Sequence, residues 1–397
     1  IIYLVFMLGL LGIFKYLGFF TTITHTLIKI PKEIPQIVLP IGISFYTFQL
    51  LSYVIDVYRQ EIEPQENFWK LLLYASLFHQ CIAGPIVRYQ LVADEIDNRK
   101  VKMDDLCKGI KRFTTGLAKK AILANGCAAV ADTLLPTISK EMMEIPVVGI
   151  WAGLLFYALQ IYLDFSAYSD MAIGMGKMMG FSFKENFNYP YTAKSVTDFW
   201  RRWHISLSSF FRDYVYIPLG GNRNGKARTY LNILVVWLLT GLWHGASWNF
   251  VLWGLFFCLF LVVEKLGLLK LLNKIPSFFS RSYLLAVVFF GWILFRFSDF
   301  ELIPVVLKGL FGLNSNPVLD FETKTLFINN IVIIAFSVLS VTPIAKNIAQ
   351  KLKPKKSKTV WSFAYASLEI IIPILFLILS TLNLVGNSYN PFLYFQF

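Results

Sequence analysis

The 397-residue sequence predicts an all-α, polytopic transmembrane protein, and three observations carry that expectation. Apolar residues make up 56% of the chain and charged residues only 15%, against roughly one-quarter charged in a soluble globular domain. The apolar residues arrive in long runs (1–11, 284–297, 331–341 and 364–382), several near the ~20 residues a helix needs to cross a bilayer. The aromatic fraction of 17%, with 37 Phe, suits lipid-facing helices flanked by aromatic belts.

Candidate spans fall in order at 1–20, 37–56, 69–88, 116–135, 147–164, 229–243, 245–263, 283–298, 326–342 and 361–383, with no internal repeat. The chain opens at Ile1 inside an apolar run without Met, which is expected of a truncated amino terminus rather than a signal peptide. Residues 100–120 mix Lys, Asp and apolar positions at helical spacing and are expected to form an interfacial amphipathic helix. The stretch 164–228 is too polar to span. Polar groups at membrane depth persist only when buried in protein or lining a wet cavity, so this segment is expected to build a cavity wall from short helices and re-entrant turns. The whole chain, 1–397, is expected to form one membrane domain, with a polar region at about 164–250 and an aromatic tail at about 387–397 outside the cytoplasm.

Lys and Arg number 37 against 24 acids, a net charge of +13. The basic residues gather in short connections between spans, as the positive-inside rule requires, and no nucleic-acid recognition motif accompanies them. Residues 346–358 hold Lys346, Lys351, Lys353, Lys355, Lys356 and Lys358 without an acid, which places that loop in the cytoplasm and the tail on the far side. Arg223, Lys226 and Arg228, and then Lys265, Lys270, Lys274 and Arg281, mark two more cytoplasmic loops. If both are inside, residues 229–263 enter and return, turning at 241–245 and carrying His244 to depth. Cys81, Cys107, Cys127 and Cys258 lack metal-ligand spacing and read as packing residues.

His25 lies in a Thr-rich connection and reads as a surface residue; His79, beside the turn Gly84-Pro85, reads first as structural. His244 sits among Trp243, Gly245, Ala246 and Trp248 in a nearly charge-free run. An ionisable side chain within a membrane protein marks function by default, and imidazole suits general-base work near neutral pH. The alternative is a packed His bonded to a carbonyl. His204 closes the run Asp198-Phe199-Trp200-Arg201-Arg202-Trp203 and precedes Ser206, Ser208, Ser209 and Arg212. Arg201, Arg202 and Arg212 could bind the phosphates of a nucleotide-like cofactor, with Trp200 and Trp203 stacking on its base. Equally, the segment could be an interfacial helix with snorkelling Arg and anchoring Trp. Asp164 and Asp170 could orient a His or pair with Arg; Asn186, Asn188 and Tyr189 supply turn chemistry and hydrogen bonds. No metal site is expected from His204 and His244, since no third ligand stands at a recognisable spacing.

At these residues the chain resembles the membrane-bound O-acyltransferase family. The segments 164–170 (DFSAYSD), 185–191 (ENFNYPY), 198–206, 212–223 and 240–248 carry the likeness, with 42–49 and 83–88 upstream. The match is to the bacterial branch of alginate and peptidoglycan O-acetyltransferase membrane subunits. That resemblance implies a ring of helices around a thin centre pierced by a tunnel, with His244 as catalytic residue and His204 as its companion. It also implies a cytoplasmic acetyl-CoA donor, no permanently bound cofactor, and residence in the bacterial inner membrane. Arg201, Arg202 and Arg212, with Trp200 and Asn188, are the expected donor-binding residues. The expected partners are an extracytoplasmic SGNH-type transferase or acyl-relay protein and, through it, a polysaccharide acceptor. The aromatic tail 390–397 is similar to Tyr-containing relay motifs, which makes Tyr394 an expected acyl carrier; an interfacial anchor is the alternative. D-alanyl transfer to teichoic acids, a transporter, and a non-enzymatic scaffold are the rival functions.

Overall fold

The computed structural model describes residues 2–28, 37–80, 84–354, 359–386 and 391–393, and the regular structure among the described residues is all helical, with no strand. At the amino-terminal end α1 (Ile2–Leu11) and α2 (Leu17–Ile28) join through a π-helical turn, Gly12–Tyr16. Two helices, α3 (Ile43–Tyr58) and α4 (Phe68–Ala75), precede a turn-rich stretch that leads to α5 (Ala93–Asn98). Next, α6 (Met103–Ala118), a π-helical segment at Lys119–Ala124 and α7 (Asn125–Leu134) form one continuous rod. After α8 (Ser139–Glu144) comes the central helix α9 (Val147–Met178). Short α10 (Val196–Arg202) and α11 (Ile205–Phe211) lead to the pair α12 (Gly225–His244) and α13 (Trp248–Val263). The chain continues through α14 (Leu269–Leu272), α15 (Ser277–Arg296), α16 (Leu302–Leu310), α17 (Phe321–Asn329), α18 (Ile331–Val341), α19 (Ile344–Leu352) and α20 (Val360–Gly386).

Fewer helices cross by themselves than the apolar runs suggest. Residues 2–25, α9, α15 and α20 are long and apolar enough to span, and α17 with α18 makes a fifth path bent by 57°. The 16 residues each of α3 and α13 reach only about 24 Å at 1.5 Å per residue, short of the ~30 Å hydrocarbon core. Their inner faces meet protein, so bilayer thickness does not set their length.

One expectation requires correction. Residues 164–178 are not short helices and re-entrant turns; they complete α9, which runs 32 residues, or about 48 Å, although Ser166, Ser169 and Asp170 do line a cavity. The helix expected at 100–120 is present as α6. It packs along α9 because its polar residues are matched across the seam: Arg112 bonds Asp170 at 2.8 Å and Lys119 bonds the same carboxylate at 2.7 Å. Small residues let the backbones meet. A Cβ on Gly109 would stand 2.7 Å from the Gly174 carbonyl oxygen, and one on Gly116 would stand 2.8 Å from that of Ala167. Arg112 and Lys119 are interhelical glue, while Lys108 and Asp104 pair with each other on the exposed side of α6.

The ion pairs also fix which ends share a face. Lys177 at the end of α9 meets Asp105 at the start of α6, 3.7 Å apart, while Arg296 at the end of α15 meets Asp132 near the end of α7, 2.9 Å apart. Antiparallel pairing therefore gathers the Lys- and Arg-rich connections around 99–102, 223–228, 265–281 and 346–353 toward one face. Asp132, Glu141, Glu144, Asp320 and Glu322 lie toward the other.

Candidate active site

His204 occupies the junction of α10 and α11, where its backbone is left-handed, with φ of 46°. A β-carbon in that region costs on the order of 1 kcal/mol or more, so something must hold it. Asn186 does. Its carbonyl accepts the Ile205 amide at 3.0 Å, and its side-chain Oδ1 accepts the Ser206 amide at 3.1 Å and the Ser206 hydroxyl at 2.9 Å. The same Oδ1 lies 3.2 Å from His204 Nδ1, and Asn186 Nδ2 donates to Ser169 Oγ on α9 at 3.2 Å. This fixes the ring. An amide oxygen facing Nδ1 is satisfied by an Nδ1–H, which leaves Nε2 as the acceptor. Among the described residues Nε2 has no protein partner although it is buried.

The amino end of α10 is held in turn by Glu264, which is 1% exposed. Its carboxylate accepts the Val196 amide at 2.6 Å, the Thr197 amide at 2.9 Å and the Thr197 hydroxyl at 2.6 Å. A carboxylate on the first free N–H groups of a helix is the favourable sign for its dipole.

His244 is the last residue of α12 and is 5% exposed. The chain turns at 245–247, against an expectation of 241–245, and α13 returns alongside α12. That return is tight. A Cβ on Gly241 would lie 2.4 Å from the Phe250 carbonyl oxygen, and one on Gly254 would lie 2.4 Å from that of Trp237. The imidazole stands edge-on to Trp253 at 4.8 Å and to Phe295 at 5.3 Å. The carbonyls just before it are capped from the π-turn between α1 and α2: Lys15 donates to the Trp243 carbonyl and to Ser44 Oγ, and Tyr16 donates to the Leu242 carbonyl at 2.8 Å. A cation and a hydroxyl at a helix carboxyl end satisfy its orphan carbonyls and complement its dipole.

Both histidines line one cavity of about 690 Å³, together with Trp200, Ser208, Arg201, Arg212 and Lys265. Its walls combine aromatic and aliphatic side chains with hydroxyl, imidazole and basic groups, and the basic residues belong to the Lys- and Arg-rich face. This is the form of a ligand site. A second cavity of about 960 Å³ lies on the other side of the Asn186 loop, between α6, α9, α18 and α20.

The remaining sequence expectations are distributed as follows. Arg201 is exposed at the cavity, and Arg212, also exposed, bonds Asp213 at 2.6 Å. Arg202 does not line it; it pairs with Asp198 at 2.9 Å, one turn away. Asn188 lines the second cavity, and its amide bonds the Arg202 carbonyl at 2.9 Å. Trp200 and Trp203 border the cavity but are packed rather than free to stack. Trp200 meets Trp237, Trp253 and Phe257 edge-on at 4.9 to 5.4 Å, and Trp203 is 2% exposed. Tyr394 lies outside the described residues. Among the described residues no group of three or more His, Cys, Asp or Glu could hold a metal.

Lys15 and Glu264 are the supporting residues the sequence reading passed over. Lys15 carried a usable signal, a lone cation inside an apolar run. Glu264 carried none, for it stands beside Lys265 in what looks like an ordinary loop edge.

Comparison with known proteins agrees with the geometry. The family model for the membrane-bound O-acyltransferases matches residues 65–303. The chain is 37% identical to the probable alginate O-acetylase AlgI of Pseudomonas putida, over 98% of this chain and 82% of that protein. It is 34% identical to the peptidoglycan O-acetyltransferase of Helicobacter pylori, over 77% of this chain and 63% of that protein. With the teichoic acid D-alanyltransferase of Bacillus subtilis it shares 28% identity, over 66% of this chain and 68% of that protein. A multi-pass membrane helical fold, a cavity built on two buried histidines and these likenesses converge on one conclusion: the chain belongs to the membrane-bound O-acyltransferase family and is an O-acyltransferase.

Proposed function

We propose that the protein takes an acetyl group from acetyl-CoA at its basic face and passes it through the bacterial inner membrane for O-acetylation of an exported or cell-wall polysaccharide. The observation that carries this reading is the cavity shared by His204 and His244, with Arg201, Arg212 and Lys265 on its lining. His244 takes the proton of an acceptor hydroxyl as its oxygen attacks the thioester carbonyl. His204, held by Asn186, presents Nε2 toward the reacting groups and orients them. Collapse of the tetrahedral intermediate breaks the C–S bond, and the proton held by His244 leaves with the CoA thiol. Arg201 and Arg212 bind donor phosphates at the mouth, where their guanidinium forks match phosphate oxygens.

In this scheme Tyr394 supplies the acceptor hydroxyl and relays the acetyl group to an extracytoplasmic partner, an SGNH-type transferase or carrier, which selects the polysaccharide. Acetyl rather than D-alanyl transfer is supported by the nearer likeness to the alginate and peptidoglycan O-acetylating proteins than to the teichoic acid D-alanyltransferases. The test is transfer of labelled acetyl from acetyl-CoA by protein reconstituted in lipid nanodiscs. His244→Ala is expected to lower the rate by at least about 10³-fold, in the range for loss of a group acting directly on the reacting atoms, with the folded elution profile retained. Near-normal transfer in that variant removes the assignment. A parent protein indifferent to acetyl-CoA but active with a D-alanyl carrier would move the chemistry to the other branch.

A further inference from the structure

The second cavity, of about 960 Å³, has no part in the transfer chemistry just described, and its lining divides by polarity. One wall is made by Phe336 and Leu339 of α18 and by Leu375, Phe376 and Leu379 of α20. Phe336, Leu375 and Leu379 are 57%, 47% and 42% exposed, as side chains on lipid-facing helices are. The opposite wall is polar: Arg112 and Lys119 on the α6–α7 rod, Asp170 on α9, and Glu185, Asn186 and Tyr189 on the loop that follows. An apolar wall on lipid-facing helices, set against a few convergent charged and polar groups, is the form of a site for an amphipathic ligand.

The charges of the lining give the sign of that ligand. Both acids are committed, since Arg112 bonds Asp170 and Glu185, and Lys119 bonds Asp170. Lys346 of α19 is then the surplus cation at the cavity. The helix that carries it has a pattern of its own. Ile344, Ile348 and Leu352 stand four residues apart and form one exposed apolar stripe, while Lys346, two residues on from Ile344, falls on the opposite side. That pattern suits a helix lying in the headgroup layer with its apolar face toward the acyl chains. It sets Lys346 at the depth of lipid phosphates and the α18–α20 wall at the depth of the chains.

We propose that this cavity is a binding site for an anionic phospholipid of the leaflet on the basic face. Lys346 meets the phosphate, the polar wall faces the rest of the headgroup, and the acyl chains run between α18 and α20. A free phosphate would make no use of the apolar wall, so the occupant is a lipid. The bound lipid sits behind the loop that holds His204, because Asn186 lines this cavity and Ile205 lines both cavities.

The test reconstitutes the full chain in nanodiscs with equal amounts of phosphatidylglycerol and phosphatidylethanolamine, and reads the lipid it retains on release by native mass spectrometry. Phosphatidylglycerol is expected to exceed phosphatidylethanolamine by at least about fivefold, the preference that one lysine near anionic headgroups supports. Lys346→Glu is expected to abolish that preference, whereas Lys351→Glu, on the same helix but off the cavity, leaves it unchanged. Leu379→Trp, which fills the apolar wall, is expected to displace both lipids. All three side chains are exposed, so each variant is expected to keep the parental melting temperature in detergent. Equal retention of the two lipids overturns the proposal, and so does an equal loss of preference in Lys346→Glu and Lys351→Glu, which reduces the effect to general surface charge. Parental retention of phosphatidylglycerol by Leu379→Trp puts the lipid elsewhere and overturns the site. Displacement of the lipid by inorganic phosphate overturns it as well, in favour of a free anion.

Discussion

Asn186 makes the most consequential contacts of any single side chain near the cavity. Its Oδ1 serves the Ser206 amide and hydroxyl and faces His204 Nδ1, while its Nδ2 reaches α9. Removing it leaves a left-handed His204 without the bonds that justify the strain. Asn186→Ala is therefore expected to lower kcat by about a hundredfold, the cost of a reacting group displaced by an ångström, with the donor KM little changed. Steady-state acetyl transfer checks this. Lys15 acts on the other histidine. Lys15→Met removes the donor from the Trp243 carbonyl and frays the end of α12 that carries His244. A drop in transfer is expected with donor binding intact, and a Lys15→Arg variant that restores transfer would confirm the capping role. At this scale His244 was legible from sequence, because an imidazole in a nearly charge-free run stands out, whereas His204, set among arginines and tryptophans, was singled out by the family resemblance. Asn186 was legible only as a turn residue, since what matters is how its amide reaches across to α11, which spacing does not reveal.

Among the elements, the α12–α13 hairpin decides whether His244 reaches the interior. Gly241 and Gly254 let the helices approach until a side chain would strike backbone. Gly241→Ala forces a Cβ to within 2.4 Å of the Phe250 carbonyl oxygen unless the helices part. Overpacking of this kind costs typically 1–3 kcal/mol. A lowered melting temperature in detergent is the expected result, with reduced transfer in the surviving folded fraction. A melting temperature unchanged from the parent would show that the hairpin can spread freely. The rod α6–α7 teaches the complementary point. Arg112 and Lys119 look like part of an exposed polar face only while α9 is out of view; with Asp170 opposite, they become an internal seam.

For the molecule as a whole, charge sets orientation. The basic connections gather on one face through antiparallel pairing, and we propose from the positive-inside rule that this face is the cytoplasmic one. A cysteine at exposed Ile348, in α19, is expected to react with an impermeant maleimide only in inverted vesicles. Labelling in sealed right-side-out vesicles would reverse the topology and move donor entry to the opposite mouth. The two histidines belong to this scale too, because the loop carrying His204 and the helix ending at His244 are far apart in the chain and meet only in the assembled bundle.

Membrane residence, the helical class and the depth of His244 were legible in the sequence alone, because they depend on composition and on the cost of polar groups in lipid. Helix lengths at the centre and the α6–α9 seam were decided only by tertiary structure. The reason is that a charge buried in a membrane protein has no meaning until its counter-charge is placed, and Lys119 and Asp170 acquire theirs from separate segments.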